Sequence, residues 1–287
     1  MGADADTLAI LFCGQGVSTD GERELVAERR PDLLDLAIEL VGNDPFARAA
    51  EATRYAQPAI YCAQIARFER AGRPQAALHA GHSLGELAAL ATAGALSEAD
   101  GLRLAVERGR LMDEAAIEAP GGMLAVGCDR AEALALAVDS GLSLANENSP
   151  KQFILSGAND RLDRAEHKAR ELGLRAKRLA VAGAFHSPLM QPVVARFEAA
   201  MDRIEFHQPE VSVISGVRAR AFPADPRAEL SLALISPVRW VDVLWRLRAD
   251  GARRYLDVGP GKVLAGLVRR TLEDVDVISG DAVAAHA

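Results

Sequence analysis

The sequence predicts an α/β protein in which a large domain with a mostly parallel sheet is interrupted by a small ferredoxin-like domain. Near both ends of the chain, apolar strand-like runs alternate with helical patterns, which is typical of parallel α/β sheets. Between them, over about residues 122–185, the order of elements becomes β-α-β-β-α-β, the order of a ferredoxin-like unit. We therefore predict a discontinuous large domain over residues 1–120 and 187–287, and a small domain over residues 121–186.

In the amino-terminal part of the chain, two predicted strands each run into a glycine turn. The run TLAILFCGQG is a buried strand that enters such a turn. The run AALHAGHS is a second strand, and LGELAALATAGA after it is a helix that ends near Gly94. A further helix is predicted in SEADGLRLAVERGRLMDEAA, because Ser97 and Asp100 stand in capping-box positions at its start.

The remaining elements follow from the same patterns. The predicted strands of the small domain are GMLAVGC, LSLANENS, QFILSG and LRAKRLAVAGAF, and its helices are RAEALALAVDSG and NDRLDRAEHKARELG. The large domain then resumes with strands in VSVISGV and RYLDVGPG and helices around WVDVLWRLRADGA and KVLAGLVRRTL. The tail GDAVAAHA is predicted to fray.

Composition excludes several functional classes. The 287 residues are 49% hydrophobic and 25% charged, so a large core can form without disulfides or metals. A net charge of −7 argues against nucleic acid as a partner, because phosphate binding needs a basic surface. No run is long enough for a membrane span, and MGADADTLAILFCG is too acidic for a signal peptide. Cys13, Cys62 and Cys128 are too widely spaced to predict a disulfide framework or a zinc site. We expect a monomeric, cytoplasmic enzyme without a metal.

The stretch GHSLG places Ser83 between Gly81 and Gly85, after a predicted strand and before a predicted helix. In that setting G-x-S-x-G is the nucleophile-elbow pattern, in which the glycines permit a sharp turn that exposes the serine hydroxyl. The amides at the start of the helix can stabilise an oxyanion. However, Ser83 and Glu86 also fit S-x-x-E, an ordinary helix capping box. The pattern alone leaves both interpretations open.

His186 in VAGAFHSPLM is the best candidate for the base that a serine nucleophile needs. It follows an apolar predicted strand and precedes Pro188, so we expect it at the end of an element and not on a solvated helix face. A hydrogen-bonded structural histidine is the alternative. The other histidines flank the elbow or lie in a charged helix, a polar turn and the tail: His79, His82, His167, His207 and His286.

Arg108 is predicted to lie on the apolar face of its helix. The polar stripe of that helix is formed by other residues: Arg103, Glu107, Arg110 and Glu114. A guanidinium on an apolar face is costly unless it meets an anion. That anion is either a protein carboxylate or a ligand carboxylate, which a guanidinium binds through two parallel hydrogen bonds.

The turn Gly14-Gln15-Gly16 follows the first predicted strand. It lacks the G-x-G-x-x-G pattern and a Lys-Ser/Thr pair, so it is not predicted to be a phosphate loop. We expect it either to present a backbone amide near the nucleophile or to be an ordinary tight turn.

Eight stretches of the chain form a larger pattern: GQG at 14–16, AQPAI at 56–60, GHSLGE at 81–86, ERGRLM at 107–112, NENSPKQFILSG at 146–157, GAFHSPLM at 183–190, SPVRW at 236–240 and DVGPGKVLAGL at 257–267. Together they resemble malonyl-CoA:acyl carrier protein transacylases and the related acyltransferases of polyketide synthases. They come in the family's order and cover nearly the whole chain. The resemblance implies an α/β-hydrolase-like core with a ferredoxin-like insert.

The resemblance also implies a function for each matching residue. Ser83 would be the acylated nucleophile, His186 its general base, and Arg108 the group that binds the malonyl carboxylate. The amides of Gln15 and Leu84 would form the oxyanion hole. The remaining implied site residues are two polar groups lining the site, the malonyl-type residue before the histidine, and the residue whose carbonyl orients the histidine: Gln57, Asn148, Phe185 and Ala233.

The implied partners are malonyl-CoA and an acidic acyl carrier protein, which supplies its own phosphopantetheine, so no resident cofactor is expected. The carrier could meet a basic patch formed by six arginines: Arg218, Arg220, Arg253, Arg254, Arg269 and Arg270. For any single one of them, a solvated charged face is the alternative.

The chain departs from the family's pattern at three places. Cys13 stands where the family usually has proline before GQG, and Ala233 stands where it usually has glutamine. The chain runs VSTD where a second glutamine commonly follows GQG, and the segment after it is short. A backbone carbonyl survives the change at Ala233, so the dyad should survive too, whereas the other changes affect the rim of the acyl-CoA entrance.

Three other functions fit parts of the pattern. A trans-acting polyketide-type acyltransferase would use another acyl-CoA. An esterase with the same elbow would need an acidic residue between the serine and the histidine, and Asp160 and Asp163 lie in that interval. A scaffold protein that keeps the fold would form no adduct on Ser83.

Overall fold

Two β-sheets organise the chain, one parallel and one antiparallel. The computed structural model describes residues 7–181 and 183–280, so the predicted tail beyond residue 280, with His286, lies outside the described residues. In chain order the strands are β1 (Thr7–Phe12), β2 (Leu78–Gly81), β3 (Gly121–Gly127), β4 (Ser143–Ser149), β5 (Gln152–Ala158), β6 (Arg175–Arg178), β7 (Ser212–Ile214), β8 (Ala252–Asp257) and β9 (Asp276–Ser279).

The helices connect these strands and cover the sheets. In chain order they are α1 (Glu22–Arg29), α2 (Pro31–Val41), α3 (Thr53–Arg70), α4 (Gly85–Thr92), α5 (Glu98–Glu118), α6 (Arg130–Ser140), α7 (Asn159–Glu171), α8 (Val194–Met201), α9 (Arg227–Ala233), α10 (Trp240–Ala249) and α11 (Val263–Thr271). Two short 3₁₀ helices lie at Phe46–Arg48 and Pro188–Val193. No described helix is both long and apolar enough to cross a membrane.

The parallel sheet has the strand order β7-β2-β1-β8-β9. Its central strand β1 is completely buried from Ala9 to Phe12, as expected where helices cover both faces of a parallel sheet. The carboxyl ends of β1 and β2 lie side by side, because Phe12 is in register with Gly81. Loops that leave these strand ends form the usual place for a site in an α/β fold.

The antiparallel sheet has the order β4-β5-β3-β6 and is built from the predicted β-α-β-β-α-β segment. Helices α6 and α7 pack against each other and against this sheet around a separate apolar core that includes Leu124, Phe153, Leu155 and Leu162. The predicted fold class is therefore confirmed. The domain boundaries at residues 121 and 186 stay a prediction.

The last strand of the small sheet is shorter than predicted. The sequence predicted one strand through LRAKRLAVAGAF, but β6 ends at Arg178. Its partner β3 offers pairing positions only from Leu124 to Gly127, and one further bond joins Leu179 N to Met123 O at 3.0 Å. Beyond that point the apolar side chains line a cavity, so His186 follows a loop and not a strand.

A short connection joins the two sheets. Val238, in the segment before α10, forms a parallel bridge with Asn146 of β4. Its amide donates to Ala145 O and its carbonyl accepts from Glu147 N, each at 2.9 Å. The small sheet is therefore hydrogen-bonded to the segment Ser236–Trp240, which also reaches the site described next.

Candidate active site

Ser83 lies on the sharp turn between β2 and α4 with φ of 53°, a left-handed conformation that is strained for a residue with a side chain. Two glycines permit the turn. A Cβ on Gly81 would lie 2.0 Å from the carbonyl carbon of Gly85, and a Cβ on Gly85 would lie 2.1 Å from Phe12 O. The helix therefore starts in direct contact with the ends of β1 and β2, and this contact leaves the serine hydroxyl at the cavity wall.

The capping-box interpretation of this stretch is wrong. Helix α4 begins after Leu84, and no side chain caps its amino terminus. The Glu86 side chain turns away from the elbow, and its Oε1 accepts a hydrogen bond from Gly216 N at 2.7 Å.

The Ser83 hydroxyl is hydrogen-bonded to the His186 imidazole, with 2.8 Å between Oγ and Nε2. The other ring nitrogen, Nδ1, donates to two backbone carbonyls, Ala233 O at 2.8 Å and Ser236 O at 3.1 Å. These acceptors fix the tautomer that leaves Nε2 free to accept the serine proton. Burial, then Arg108 and His82, lower the pKa of His186 to about 3, so the ring is neutral at pH 7.

No carboxylate contacts His186 within residues 7–181 and 183–280. The two candidates from the sequence lie on the exposed side of α7, where Asp160 pairs with Arg164 and Asp163 with Arg178. The acidic triad member that the esterase hypothesis requires is therefore absent from the described part of the chain.

Arg108 is only 5% exposed, on the inner face of α5, as the sequence predicted. Its Nη1 donates to Gln57 Oε1 at 2.7 Å and its Nη2 donates to Ser83 Oγ at 3.0 Å. No carboxylate in the described ranges forms an ion pair with it. Burial lowers the pKa of Arg108 to about 10, opposed by the nearby Glu86, so the guanidinium remains charged at neutral pH.

Gln57 lies behind Arg108 and not in the cavity wall. Its Nε2 donates to Thr53 Oγ1 at 3.0 Å and contacts Met112 Sδ at 3.3 Å, which directs Oε1 toward the guanidinium. Gln57 therefore positions Arg108, whereas the sequence placed it on the lining.

Gln15 and Leu84 both reach the cavity beside Ser83. The backbone amide of neither residue donates to an acceptor among the described residues, so both N–H groups are available to a ligand oxygen. The 14–16 turn is pressed against the elbow, because a Cβ on Gly14 would lie 2.7 Å from His82 O. The Gln15 side chain is held by Thr53, whose Oγ1 donates to Oε1 at 2.7 Å.

The cavity around Ser83 has a volume of about 510 Å³ and is walled by both sheets and their loops. Phe185 and Asn148 line it, and the amide oxygen of Asn148 accepts from His82 Nε2 at 2.9 Å. Several further residues line the cavity that the sequence did not predict there: Met112, Met123, Asn146, Gln152, Lys262 and Arg270, the last of which was predicted only as part of a basic patch. All but Met123 fall in the eight matched stretches or the helix after them, whereas Met123 carried no signal.

The six arginines of the predicted basic patch have different surroundings, and the patch stays a prediction. Only Arg270 lies at the cavity. The others bind protein groups elsewhere: Arg218 and Arg220 pair with Glu229, Arg254 pairs with Asp276, and Arg253 and Arg269 donate to backbone carbonyls. A second groove, which adjoins the cavity at Arg270, carries the basic residues Lys151, Arg175 and Lys177.

With this geometry established, comparison with known proteins gives the family. Residues 32–286 match the family model described as the acyl transferase domain. The chain belongs to the acyl transferase domain family. It is 39% identical over 292 residues to the polyketide biosynthesis protein ThaF of Burkholderia thailandensis, a match that covers 96% of this chain and 25% of that protein. It is 33% identical over 299 residues to the malonyl CoA-acyl carrier protein transacylase of Haemophilus influenzae, covering 96% of each.

Solved structures of this acyl transferase family show the same fold. The malonyl-CoA:acyl carrier protein transacylase of Xanthomonas oryzae is 35% identical with a TM-score of 0.88, over 96% of this chain and 94% of that chain. A malonyl-transacylase in complex with a type II polyketide synthase acyl-carrier protein is 28% identical with a TM-score of 0.86, over 96% of each chain.

Replacing Gly85 by alanine should destabilise this acyl transferase, because the new methyl group meets the Phe12 carbonyl at a distance that forces the elbow apart. We expect a loss of roughly 3 kcal/mol in the free energy of unfolding, measured by urea denaturation. Gly266→Ala is the matched control. Its methyl group meets only the flexible Arg270 at 3.6 Å in helix α11, so a gain of about 0.5–1 kcal/mol is expected. Equal effects of the two changes would contradict the steric argument.

The reactivity of Ser83 should be insensitive to pH across the ordinary histidine range. Because the folded-state pKa of His186 lies near 3, lowering the pH from 8 to 5 does not protonate the base. We expect the rate of Ser83 labelling by a fluorophosphonate, a general serine reagent, to stay flat over that interval and to fall only toward pH 3. A midpoint between pH 6 and 7 would contradict the assignment.

Proposed function

We propose that this protein moves a malonyl group from malonyl-CoA to the phosphopantetheine thiol of an acyl carrier protein, through an ester on Ser83. One observation carries the proposal: a buried, charged guanidinium that forms no ion pair with a carboxylate of the described residues lies 3.0 Å from the candidate nucleophile. A malonyl ester on Ser83 places its free carboxylate two carbons beyond the acyl carbon, within reach of Arg108. The names of the relatives and structural neighbours support the same substrate.

The first half-reaction acylates the enzyme. His186 Nε2 takes the Ser83 proton while Oγ bonds to the thioester carbon, and the amides of Gln15 and Leu84 stabilise the oxyanion. As the tetrahedral intermediate collapses, the carbon–sulfur bond breaks. The CoA sulfur leaves with the proton from Nε2.

The second half-reaction transfers the malonyl group. The carrier's thiol gives its proton to the neutral imidazole, and the sulfur attacks the Ser83 ester. As the tetrahedral intermediate collapses, the bond between the acyl carbon and Ser83 Oγ breaks, the new thioester is released, and Oγ takes the proton from His186 Nε2. Asn148 and Phe185 complete the wall around the acyl group.

A second candidate function differs only in the carrier protein that receives the malonyl group. The 39% identity to ThaF favours a carrier protein of polyketide assembly, served in trans, over one of fatty-acid synthesis. The reaction at Ser83 is the same for both kinds of carrier protein. The two candidate functions are therefore distinguished by which carrier accepts the malonyl group.

The site and the cysteines support a proposed oligomeric state and cellular compartment. Every group in the proposed steps comes from one chain, so the protein can work as a monomer, and phosphopantetheine arrives on the partner. Cys13, Cys62 and Cys128 are buried free thiols, which supports a reducing compartment such as the cytoplasm.

Incubation with malonyl-CoA should add one malonyl group to Ser83, seen as a mass increase of the intact protein that a carrier protein then removes. Ser83→Ala should show no adduct. His186→Ala should load at least a hundredfold more slowly, because general-base assistance contributes about 10²–10⁴-fold. Rapid release of free malonate without a carrier would instead favour a hydrolase, and no adduct at all would favour a scaffold.

Arg108→Ala should lower kcat/KM for malonyl-CoA by roughly 10²-fold, because a buried charge-assisted hydrogen-bond pair contributes about 3 kcal/mol. Loading from acetyl-CoA, which lacks the second carboxylate, should fall far less. Arg110→Ala is the matched control on the solvent side of the same helix, where Arg110 pairs with Glu107 and Glu114. Unchanged malonyl loading by Arg108→Ala would refute the carboxylate assignment.

A further inference from the structure

Glu86 is a buried carboxylate that the proposed steps do not use. It lies in the first turn of α4, three residues after Ser83, and it is fully enclosed by protein. Its Oε1 accepts from the amide of Gly216, which lies 130 residues further along the chain, in the loop after β7. This hydrogen bond links the start of helix α4 to that loop.

The same loop also binds helix α9, through two arginines that contact Glu229. Glu229 of α9 is also buried, and its Oε1 accepts from Arg220 Nη2 at 3.2 Å. Arg218 Nε lies 3.6 Å from the same oxygen. The loop itself is closed by Ser215 N, which donates to Arg220 O at 2.8 Å. We call residues 215–221 the brace loop.

The two helices joined by the brace loop carry the two halves of the dyad. Helix α4 follows Ser83 directly. Helix α9 ends at Ala233, whose carbonyl accepts from His186 Nδ1. Gly216 itself also reaches the histidine side of the site. Its carbonyl accepts from Arg239 N at 2.7 Å, and Arg239 is close in the chain to Ser236, the second carbonyl acceptor of His186.

We infer that Glu86 and Glu229, acting through the brace loop, are positioning residues that set the distance between Ser83 Oγ and His186 Nε2. Both dyad residues have positive φ values, 53° and 56°, which persist only where the surroundings fix them. Neither carboxylate touches the nucleophile or the base, so each acts through the helix that it anchors. The inference rests on the proposed function.

The double variant Arg218→Ala/Arg220→Ala removes both arginines that bind Glu229, at side chains that are themselves 49% and 61% exposed. Because it leaves the buried Glu229 unpaired, urea denaturation must show that the variant is still folded under the assay conditions. The matched control is Arg103→Ala/Arg246→Ala, which removes two ion-paired arginines of similar exposure, 47% and 43%. We expect the first-order rate of malonyl loading at saturating malonyl-CoA to fall about tenfold in the test variant only, since small misplacements of reacting groups slow reactions strongly. The KM for malonyl-CoA should stay within about twofold, because Arg108 is untouched.

The hydrogen bond between Gly216 N and the Glu86 carboxylate is tested with Glu86→Ala and Glu86→Gln. The amide oxygen of glutamine can accept from Gly216 N, so Glu86→Gln should restore most of the rate that Glu86→Ala loses. If Glu86 served only as a countercharge to Arg108, the two variants would be equally impaired, and the loss would appear in KM. That result would overturn the inference, as would wild-type loading rates in the double arginine variant.

Fluorophosphonate labelling of Ser83 separates this inference from the proposed function. The reagent has no malonyl carboxylate and no CoA, so its rate reports the geometry around Ser83 without any contribution from malonyl or CoA recognition. We expect about a tenfold slower labelling in the double arginine variant and in Glu86→Ala. If the wild type is labelled but never malonylated, the proposed function is wrong, while equal labelling of wild type and variants overturns the positioning role.

Discussion

The hydrogen bond between Ser83 and His186 is the interaction on which the rest of the site depends. It joins residues 103 positions apart, one on the elbow after β2 and one on the loop that returns from the small sheet. Both residues have a strained backbone with positive φ, and close contacts hold each of them in place. The glycines beside Ser83 permit its turn, and two backbone carbonyls accept hydrogen bonds from the His186 ring. The arrangement replaces the usual acidic triad member with main-chain dipoles, so it avoids burying another charge next to the base.

The sequence predicted the fold well where burial and secondary structure change together. The order β-α-β-β-α-β identified the antiparallel sheet because its two middle strands, β4 and β5, follow each other with no helix between them and pair as a hairpin. Helix α3 was missed because it is buried on nearly all sides, which removes the periodicity that marks a surface helix. The strand through 174–185 was predicted too long because its apolar residues suggested pairing in a sheet, whereas Leu179, Ala180 and Val181 line a cavity and have no register partner in a described strand.

The sequence likewise predicted some features of the site, whereas others depend on how the chain folds. Arg108 was found from its place on the helix, and its partners, Gln57 and Ser83, required the fold. The basic patch stays a prediction, but its sequence pattern did not reveal that three of its arginines form ion pairs. Glu229 takes Arg218 and Arg220, and that pairing depends on how helix α9 meets the brace loop. The cations that do line the cavity are scattered along the chain: Arg108, Lys262 and Arg270.

The charge balance around Arg108 explains how one side chain could combine stability with selectivity. Burial raises the pKa of Glu86 to about 7, so the nearest countercharge is only partly ionised at neutral pH and makes no direct ion pair with the guanidinium. Arg108 is therefore incompletely neutralised in the free protein and is held in place by neutral oxygens. A bound carboxylate completes the pairing, whereas a simple acyl group leaves the cation as it was. Under the proposed function, the cost of an unpaired buried charge, several kcal/mol, would favour a diacid without steric exclusion of smaller groups.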